Sequence, residues 1–252
     1  MLTLNKQLII GIITLFPKMF EALKYGVIGR ALRHKLLILN FWNPRDYTAD
    51  IHCRVDDRPY GGGPGMVMKF EPLTAAIKAA KEKLGENTKI IYLSPQGKLL
   101  TQKVIKKKAQ DLKPIILLVG RYEGIDERLI ETEVDEEWSI GDYIVSGGEL
   151  PAMILIDALT RLLPGVLGHV NSVAQDSFTS GLLNFPQYTR PEKIANRSVP
   201  EILLSGDHSA IACWRLKQAL GRTWQRRQDL IKRRNLCENE QRLLEKFIEE
   251  SL

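Results

Sequence analysis

Long hydrophobic runs are missing from this 252-residue chain. Its most apolar stretches, Leu8–Phe16 and Leu150–Ile156, fall far short of the roughly 20 residues that a membrane-spanning helix needs, so no membrane partner is expected. Cysteine is scarce: Cys53, Cys213 and Cys237 are widely spaced and odd in number. That argues against a disulfide frame or a cysteine zinc site and fits a reducing, cytoplasmic setting. The four histidines (His34, His52, His169, His208) are scattered, with no H-E-x-x-H pair, and no G-x-S-x-G elbow occurs. Zinc-hydrolase and serine-triad chemistry therefore lack support. There is no G-x-x-x-x-G-K-[ST] phosphate loop, and Gly61-Gly62-Gly63-Pro64-Gly65 neither fits G-x-G-x-x-G nor directly follows a strand. An ordinary dinucleotide fold is not indicated. Internal repeats and low-complexity tracts are absent as well. The N-terminal MLTLNKQLIIGIITLF has the texture of a weak signal peptide, but no small-x-small site precedes Pro17. A first buried strand is the simpler reading.

What remains is a globular composition, 44% hydrophobic and 26% charged, with a net charge of +6 that permits a nucleic-acid partner. β-Branched runs at Leu8–Phe16, Leu36–Trp42, Lys89–Leu93 and Ile115–Val119, and a fifth near Tyr143–Val145, predict strands. Between them, Pro17–Leu23, Pro72–Leu84, Gln102–Leu112, Asp126–Glu133 and Leu150–Leu163 have helical spacing. Near-continuous apolar strands between amphipathic helices predict an α/β fold with a parallel sheet covered on both faces. After Pro164-Gly165 the texture changes. GHVNSVAQDSFTS (Gly168–Ser180) has no periodicity and reads as an exposed linker or mobile loop, whereas Ala210–Leu220, Gln228–Arg234 and Glu238–Glu249 read as helices with no β alternation. The expected division is an α/β domain over 1–166, a linker over 167–185 and a small all-helical domain over 186–252.

Charge is concentrated in the last part. Between Trp214 and Arg234 lie eight basic residues and one acid, Asp229, a local net of +7 that exceeds the +6 of the whole chain. A solvated helix face with Trp214 and Trp224 in the core is the bland reading. A surface whose arginines track a polynucleotide backbone is the sharper one.

Four glycine-punctuated segments stand out: DDRPYGGGPGM (Asp56–Met66), YLSPQG (Tyr92–Gly97), GRYEGIDER (Gly120–Arg128) and SIGDYIVSGGELP (Ser139–Pro151). Each alone could be a tight turn. Three lie beyond the carboxyl ends of expected strands, where open α/β sheets hold ligands. Glycine there lets backbone groups approach a ligand closely, which suits reading an adenine edge by main-chain hydrogen bonds.

Together with EEWSIGDYIVSGGELPA and DSFTSGLLNFPQYTRPE, these segments resemble the bacterial tRNA (guanine-37-N1)-methyltransferases of the SPOUT class. The resemblance runs from Ile13–Pro17 to Trp214–Arg227, with motif order and spacing preserved. The departures are about six extra residues (LTLNKQ) before the first strand and a loosely constrained GHVNSVAQ, neither of which touches a motif. The resemblance implies a sheet threaded into a deep trefoil knot and an antiparallel homodimer with a shared active site. S-Adenosyl-L-methionine would be the cofactor, tRNA the substrate, and Mg2+ an ion bound with the substrate near Glu123 or Asp176. Carried over by motif, the cofactor residues are Tyr92, Leu93, Ser94, Pro95, Gly120, Tyr122, Glu123, Gly124, Ile140, Gly141, Asp142, Tyr143, Ile144, Val145, Gly147, Gly148 and Pro151. The resemblance also makes Asp176 the general base and Arg161 its partner at guanine O6. Without it, Asp176 reads as a turn or cap aspartate, and Arg161 as a last-turn arginine facing the helix dipole. The alternatives are another knotted RNA methyltransferase, acting on a ribose 2′-oxygen or a different base, and a non-catalytic RNA-binding dimer.

Overall fold

A computed structural model describes residues 7–168 and 176–251. Residues 169–175 of the expected linker, and most of the extra N-terminal segment, lie outside the described residues. The chain divides into two compact units, Met1–Gly168 and His169–Leu252.

The first unit runs β1 (Leu8–Ile13), a 3-10 helix (Pro17–Lys24), α1 (Gly26–Arg33), β2 (Leu37–Trp42), a second 3-10 helix (Pro44–Tyr47), β3 (Asp56–Asp57), β4 (Val67–Met68), α2 (Phe70–Leu84), β5 (Lys89–Leu99), α3 (Gln102–Asp111), β6 (Ile115–Val119), α4 (Glu127–Glu133), β7 (Glu136–Ser139) and α5 (Glu149–Thr160). β3 and β4 form a small antiparallel ribbon. The other five strands make one sheet in the order β2-β1-β6-β5-β7, every pairing parallel. Side chains alternate between the faces at a period of two. Ile10, Ile12, Ile91, Leu117 and Val119 join the core built with α1, α3 and α5. Ile13, Ile90, Tyr92, Ile116 and Leu118 join the one built with α2 and α4. Because both faces are covered, all five residues of the central strand β6 are buried.

Local chemistry sets the element ends. Thr101 accepts from the Val104 N–H and Asp126 from the Arg128 N–H, capping α3 and α4. β1 stops at Ile13 rather than Phe16 because the Thr14 hydroxyl accepts the Phe16 N–H at 3.0 Å and turns the chain. The N-terminal apolar run is thus a strand, paired on both sides.

The fifth strand is Glu136–Ser139, not Tyr143–Val145. An edge strand tolerates charge that a central one does not. Glu136 pairs with Lys89 at 3.1 Å and accepts from the Trp138 indole N–H, while Trp138 itself is buried. Tyr143 and Ile144 are exposed in a loop instead. α1 was not expected: Gly26 and Gly29 break its helical signal, and Gly29 is there because a Cβ would fall 2.0 Å from the Lys24 carbonyl oxygen.

The second unit holds β8 (Lys193–Ile194), β9 (Arg197–Ser198), a 3-10 helix (Glu201–Leu203), α6 (His208–Arg226), α7 (Gln228–Arg233) and α8 (Glu238–Glu249). The expectation of an all-helical region is corrected by β8 and β9. They form a minimal antiparallel hairpin, too short to leave a period-two pattern in the sequence, with Ala195 in the left-handed region at its turn. Asp207 caps α6 by accepting from the Ser209 and Ala210 N–H groups. Leu182, Ala219, Leu220, Leu243 and Leu244 form a separate core, with Trp224 packed against it.

Leu117→Ala on β6 should cost about 2–5 kcal/mol in urea unfolding, whereas Ile51→Ala, at a fully exposed site, should stay within about 0.5 kcal/mol. Burial works to raise the Glu136 carboxyl, but Lys89, Lys108 and the Trp138 N–H hold it below its ordinary value. Its contribution to stability is present above about pH 4.3, the usual glutamate value, and is lost as pH falls through the depressed folded one. Glu136→Gln should flatten stability across that acid window.

Candidate functional site

A bulge within β5 and the loops after β6 and β7 line a cavity of about 450 Å3. The β5 loop is a bulge. Pairing with β7 slips between Leu93 and Lys98, both of which lie opposite Trp138, so residues 94–97 are pushed out of the ladder. The Ser94 hydroxyl accepts the Gln96 N–H at 3.1 Å and holds the bulge in shape. Gly97 closes it where the strands are tightest: a Cβ there would lie 2.4 Å from the Trp138 backbone nitrogen.

After β6 the chain turns through Tyr122 and Gly124, both at positive φ, with the Gly124 N–H donating to the Arg121 carbonyl at 3.1 Å. The last part of DDRPYGGGPGM runs beside this turn. The Glu123 N–H donates to the Met66 carbonyl and the Met68 N–H to the Gly124 carbonyl, both at 2.9 Å. After β7, the Gly141 N–H donates to the Ser139 hydroxyl at 3.2 Å, and the loop returns to β6 where the Gly148 N–H donates to the Gly120 carbonyl at 3.0 Å.

Of the residues expected at a cofactor site, Tyr92, Leu93, Ser94, Pro95, Gly120, Tyr122, Glu123, Gly124, Ile140, Gly141, Tyr143, Ile144, Val145, Gly147, Gly148 and Pro151 line this one cavity. Asp142 does not: it belongs to the same loop, but its neighbours form the wall. Burial, with Glu137 adding, pushes the Tyr92 phenol up to about 12, so it stays neutral and can act as a donor. Three carboxylates, Glu123, Glu127 and Glu137, are on the lining, against one guanidinium, Arg121. That balance favours a ligand carrying positive charge.

Sequence reasoning passed over Arg121 and Glu149, although both stand inside quoted motifs. Arg121 lies 2.9 Å from the carboxylate of Glu149, which is fully buried and also accepts from the Thr14 hydroxyl at 3.0 Å. Only the three-dimensional return of the loop brings these positions together.

Arg161 is the C-cap of α5 and donates its N–H to the Asp157 carbonyl. It is not on the cavity lining. Asp176 belongs to the second unit, where it lines a recess of about 170 Å3 with Asn184, Phe185 and Arg215, and its carbonyl accepts the Thr179 N–H at 3.2 Å. Among the described residues no group of three or more His, Cys, Asp or Glu side chains could hold a metal ion. No Mg2+ cage is furnished by them.

The second unit also has a broad groove of about 1000 Å3 between residues 185–204 and α6. The Arg215 guanidinium lies 4.9 Å over the Phe185 ring, and the Tyr188 and Trp214 rings are 6.4 Å apart. Several cations of the basic stretch are matched: Lys217 with Glu250, Arg227 with Asp229 and Arg234 with Glu240. Arg226, Lys232 and Arg233 are exposed.

A parallel sheet covered on both faces, with a cavity at the carboxyl-end side of its strands, defines an α/β protein of the architecture that holds ligands at that edge. Sequence comparison narrows this. The profile of the family described as tRNA (Guanine-1)-methyltransferase TrmD matches residues 8–233. The tRNA (guanine-N(1)-)-methyltransferase of Coxiella burnetii (strain Dugway 5J108-111) is 75% identical over 97% of this chain and 99% of its own length. Those of Pseudomonas putida (strain W619) and Pseudomonas aeruginosa (strain LESB58) are 59% and 58% identical, each over at least 96% of both chains. The chain belongs to the tRNA (guanine-N1)-methyltransferase family and is a transferase.

Gly97→Ala should force β5 and β7 apart and cost about 1–3 kcal/mol, read by urea unfolding, because the clash is with backbone that cannot rotate away.

Proposed function

We propose that this chain transfers a methyl group from S-adenosyl-L-methionine to N1 of guanine-37 in tRNA, with Asp176 as general base and Arg161 stabilising charge at O6. The observation that carries this reading is the cavity of about 450 Å3 lined by three glycine-punctuated segments, in a chain of this family. The residues present fit the cofactor. Residues of Tyr92–Pro95, of Gly120–Gly124 and of the loop from Ile140 to Gly148 line a space of about 450 Å3, which has room for a nucleoside. Gly120 and Gly148 keep side chains out where a Cβ would press on Tyr92 and Val119. Glu123, Glu127 and Glu137 match a sulfonium and an ammonium. When bound, S-adenosyl-L-methionine supplies an electrophilic methyl group whose leaving group is a neutral thioether.

The protein's own task is at the guanine. At neutral pH N1 carries a proton, so the Asp176 carboxylate takes it as N1 attacks the methyl carbon. Negative charge moving toward O6 is met by the Arg161 guanidinium. The three segments lining the cavity would hold S-adenosyl-L-methionine, which would give its methyl group to N1 and leave as the neutral thioether. A base carried on a loop can be brought into place by the substrate itself.

In this reading, 1–166 is the methyltransferase domain, 167–185 an interdomain linker and 186–252 the helical tRNA-binding domain, in the cytoplasm. Arg226, Lys232 and Arg233 meet phosphates, and the groove aromatics offer stacking surface. The knot is supported by the Gly148–Gly120 hydrogen bond, which draws the segment before α5 across the end of β6. An antiparallel homodimer is supported by Leu150 and Ile154, large apolar side chains left exposed on a helix whose Ala152, Leu155, Ile156 and Leu159 are buried.

The test is incubation of the purified chain with S-adenosyl-L-methionine and an unmodified tRNA transcript, with nucleosides identified by mass spectrometry. The expected product is 1-methylguanosine, lost when guanine-37 is replaced by adenine. A 2′-O-methyl product, or none despite cofactor and tRNA binding, overturns the reading in favour of another knotted methyltransferase or a binding protein. Asp176→Asn and Arg161→Ala should each lose turnover by about 10²-fold or more while cofactor binding persists. Near-normal turnover of both rejects their roles.

A further inference from the structure

We infer that Arg121 and Glu149, braced by Thr14, are positioning residues that hold the Ile140–Gly148 loop in its ligand-binding shape. This rests on the reading of the 450 Å3 cavity as the cofactor site. Glu149 is 0% exposed, an unusual place for a carboxylate unless something specific retains it. It opens α5 immediately after the loop, so its anchorage decides where the loop ends. Its two oxygens face different elements: one accepts the Thr14 hydroxyl at the end of β1, and the other meets Arg121 on the loop after β6.

Arg121 gathers the remaining pieces. Its guanidinium donates to the Ser146 carbonyl at 3.0 Å, inside the loop, and lies 4.7 Å over the Phe16 ring. The neighbouring glycine records the fit: a Cβ on Gly147 would fall 2.4 Å from Arg121 Nε. One cation thus ties together the chain after β1, the chain after β6 and the loop after β7. The planar fork of arginine can reach a carboxylate and a carbonyl at once, which a lysine ammonium on a flexible stem does not reproduce. Held this way, Ile144, Val145 and Gly147 keep their places on the cavity wall without Arg121 or Glu149 touching the methylated base.

A separate role in chemistry and a role in loop placement predict different kinetics. Loss of placement weakens cofactor binding while a saturated enzyme still turns over. The experiment measures S-adenosyl-L-methionine Kd by calorimetry, KM and kcat separately, tRNA Kd, and melting temperature, for Arg121→Lys, Glu149→Gln, their double variant and Thr14→Val. Arg121→Lys and Glu149→Gln should each raise cofactor Kd and KM about 10-fold or more, with kcat within about threefold and tRNA Kd unchanged. The double variant should lose no more than the worse single variant, since both act through one contact. Thr14→Val, which removes one hydroxyl and keeps the side-chain shape, should show the same pattern more weakly and serves if the others fail to fold. If the unaltered chain binds no S-adenosyl-L-methionine, the reading of the cavity fails first. If it binds but the variants match it, if their losses add, or if kcat falls at unchanged KM, the positioning role is overturned.

Discussion

At one point two stretches of backbone come close enough to share a hydrogen bond: Gly148 donates to the carbonyl of Gly120 at 3.0 Å. The rest of the site depends on that approach. A Cβ on Gly148 would press on Val119, and one on Gly120 would meet the Tyr92 hydroxyl at 2.9 Å. Both positions must therefore stay small for the loop after β7 to lie across β6. Once it does, Glu149 reaches Arg121 and Thr14, Pro151 reaches the wall, and α5 runs back along the sheet with Leu155, Ile156 and Leu159 buried.

The sheet makes this possible by being covered on both faces. With β6 wholly buried between β1 and β5, ligand-binding groups can occupy only the strand ends. Loops there are free to break the ladder, as the bulge after Leu93 does, because their polar groups face a cavity that a ligand or water can fill. A buried carboxylate is costly by itself. Here one oxygen accepts the Thr14 hydroxyl and the other lies 2.9 Å from the Arg121 guanidinium, whose charge offsets part of that cost.

The second unit follows different physics. Its core is small, and its surface is governed by charge. The basic stretch that reads as +7 in sequence is partly answered by Glu240 on α8 and by Glu250, which lie outside that window and fold back against Arg234 and Lys217. The positive field is accordingly carried by fewer side chains than the count suggests, chiefly those turned to solvent such as Arg226, Lys232 and Arg233. Trp224 packs on the core, in line with the bland reading, while Trp214 faces Tyr188 beside the groove.

Periodicity alone determined most of the elements: four of the five sheet strands, the covering helices α2, α3, α4 and α5, and the three C-terminal helices follow from it, because burial of alternating or helically spaced apolar groups is a local property. Glycine-rich segments after strands pointed to the cavity for a similarly local reason. The strand at Glu136–Ser139 was hidden because Glu136 is satisfied by the Trp138 indole N–H and by Lys89, a partner that sequence distance conceals. The β8–β9 hairpin was too short to leave a pattern. Tertiary structure alone decided that Arg121 lies against Glu149 and that both sit beside Thr14. These are questions of where a loop returns, and long-range hydrogen bonds and ion pairs settle that once the sheet has formed.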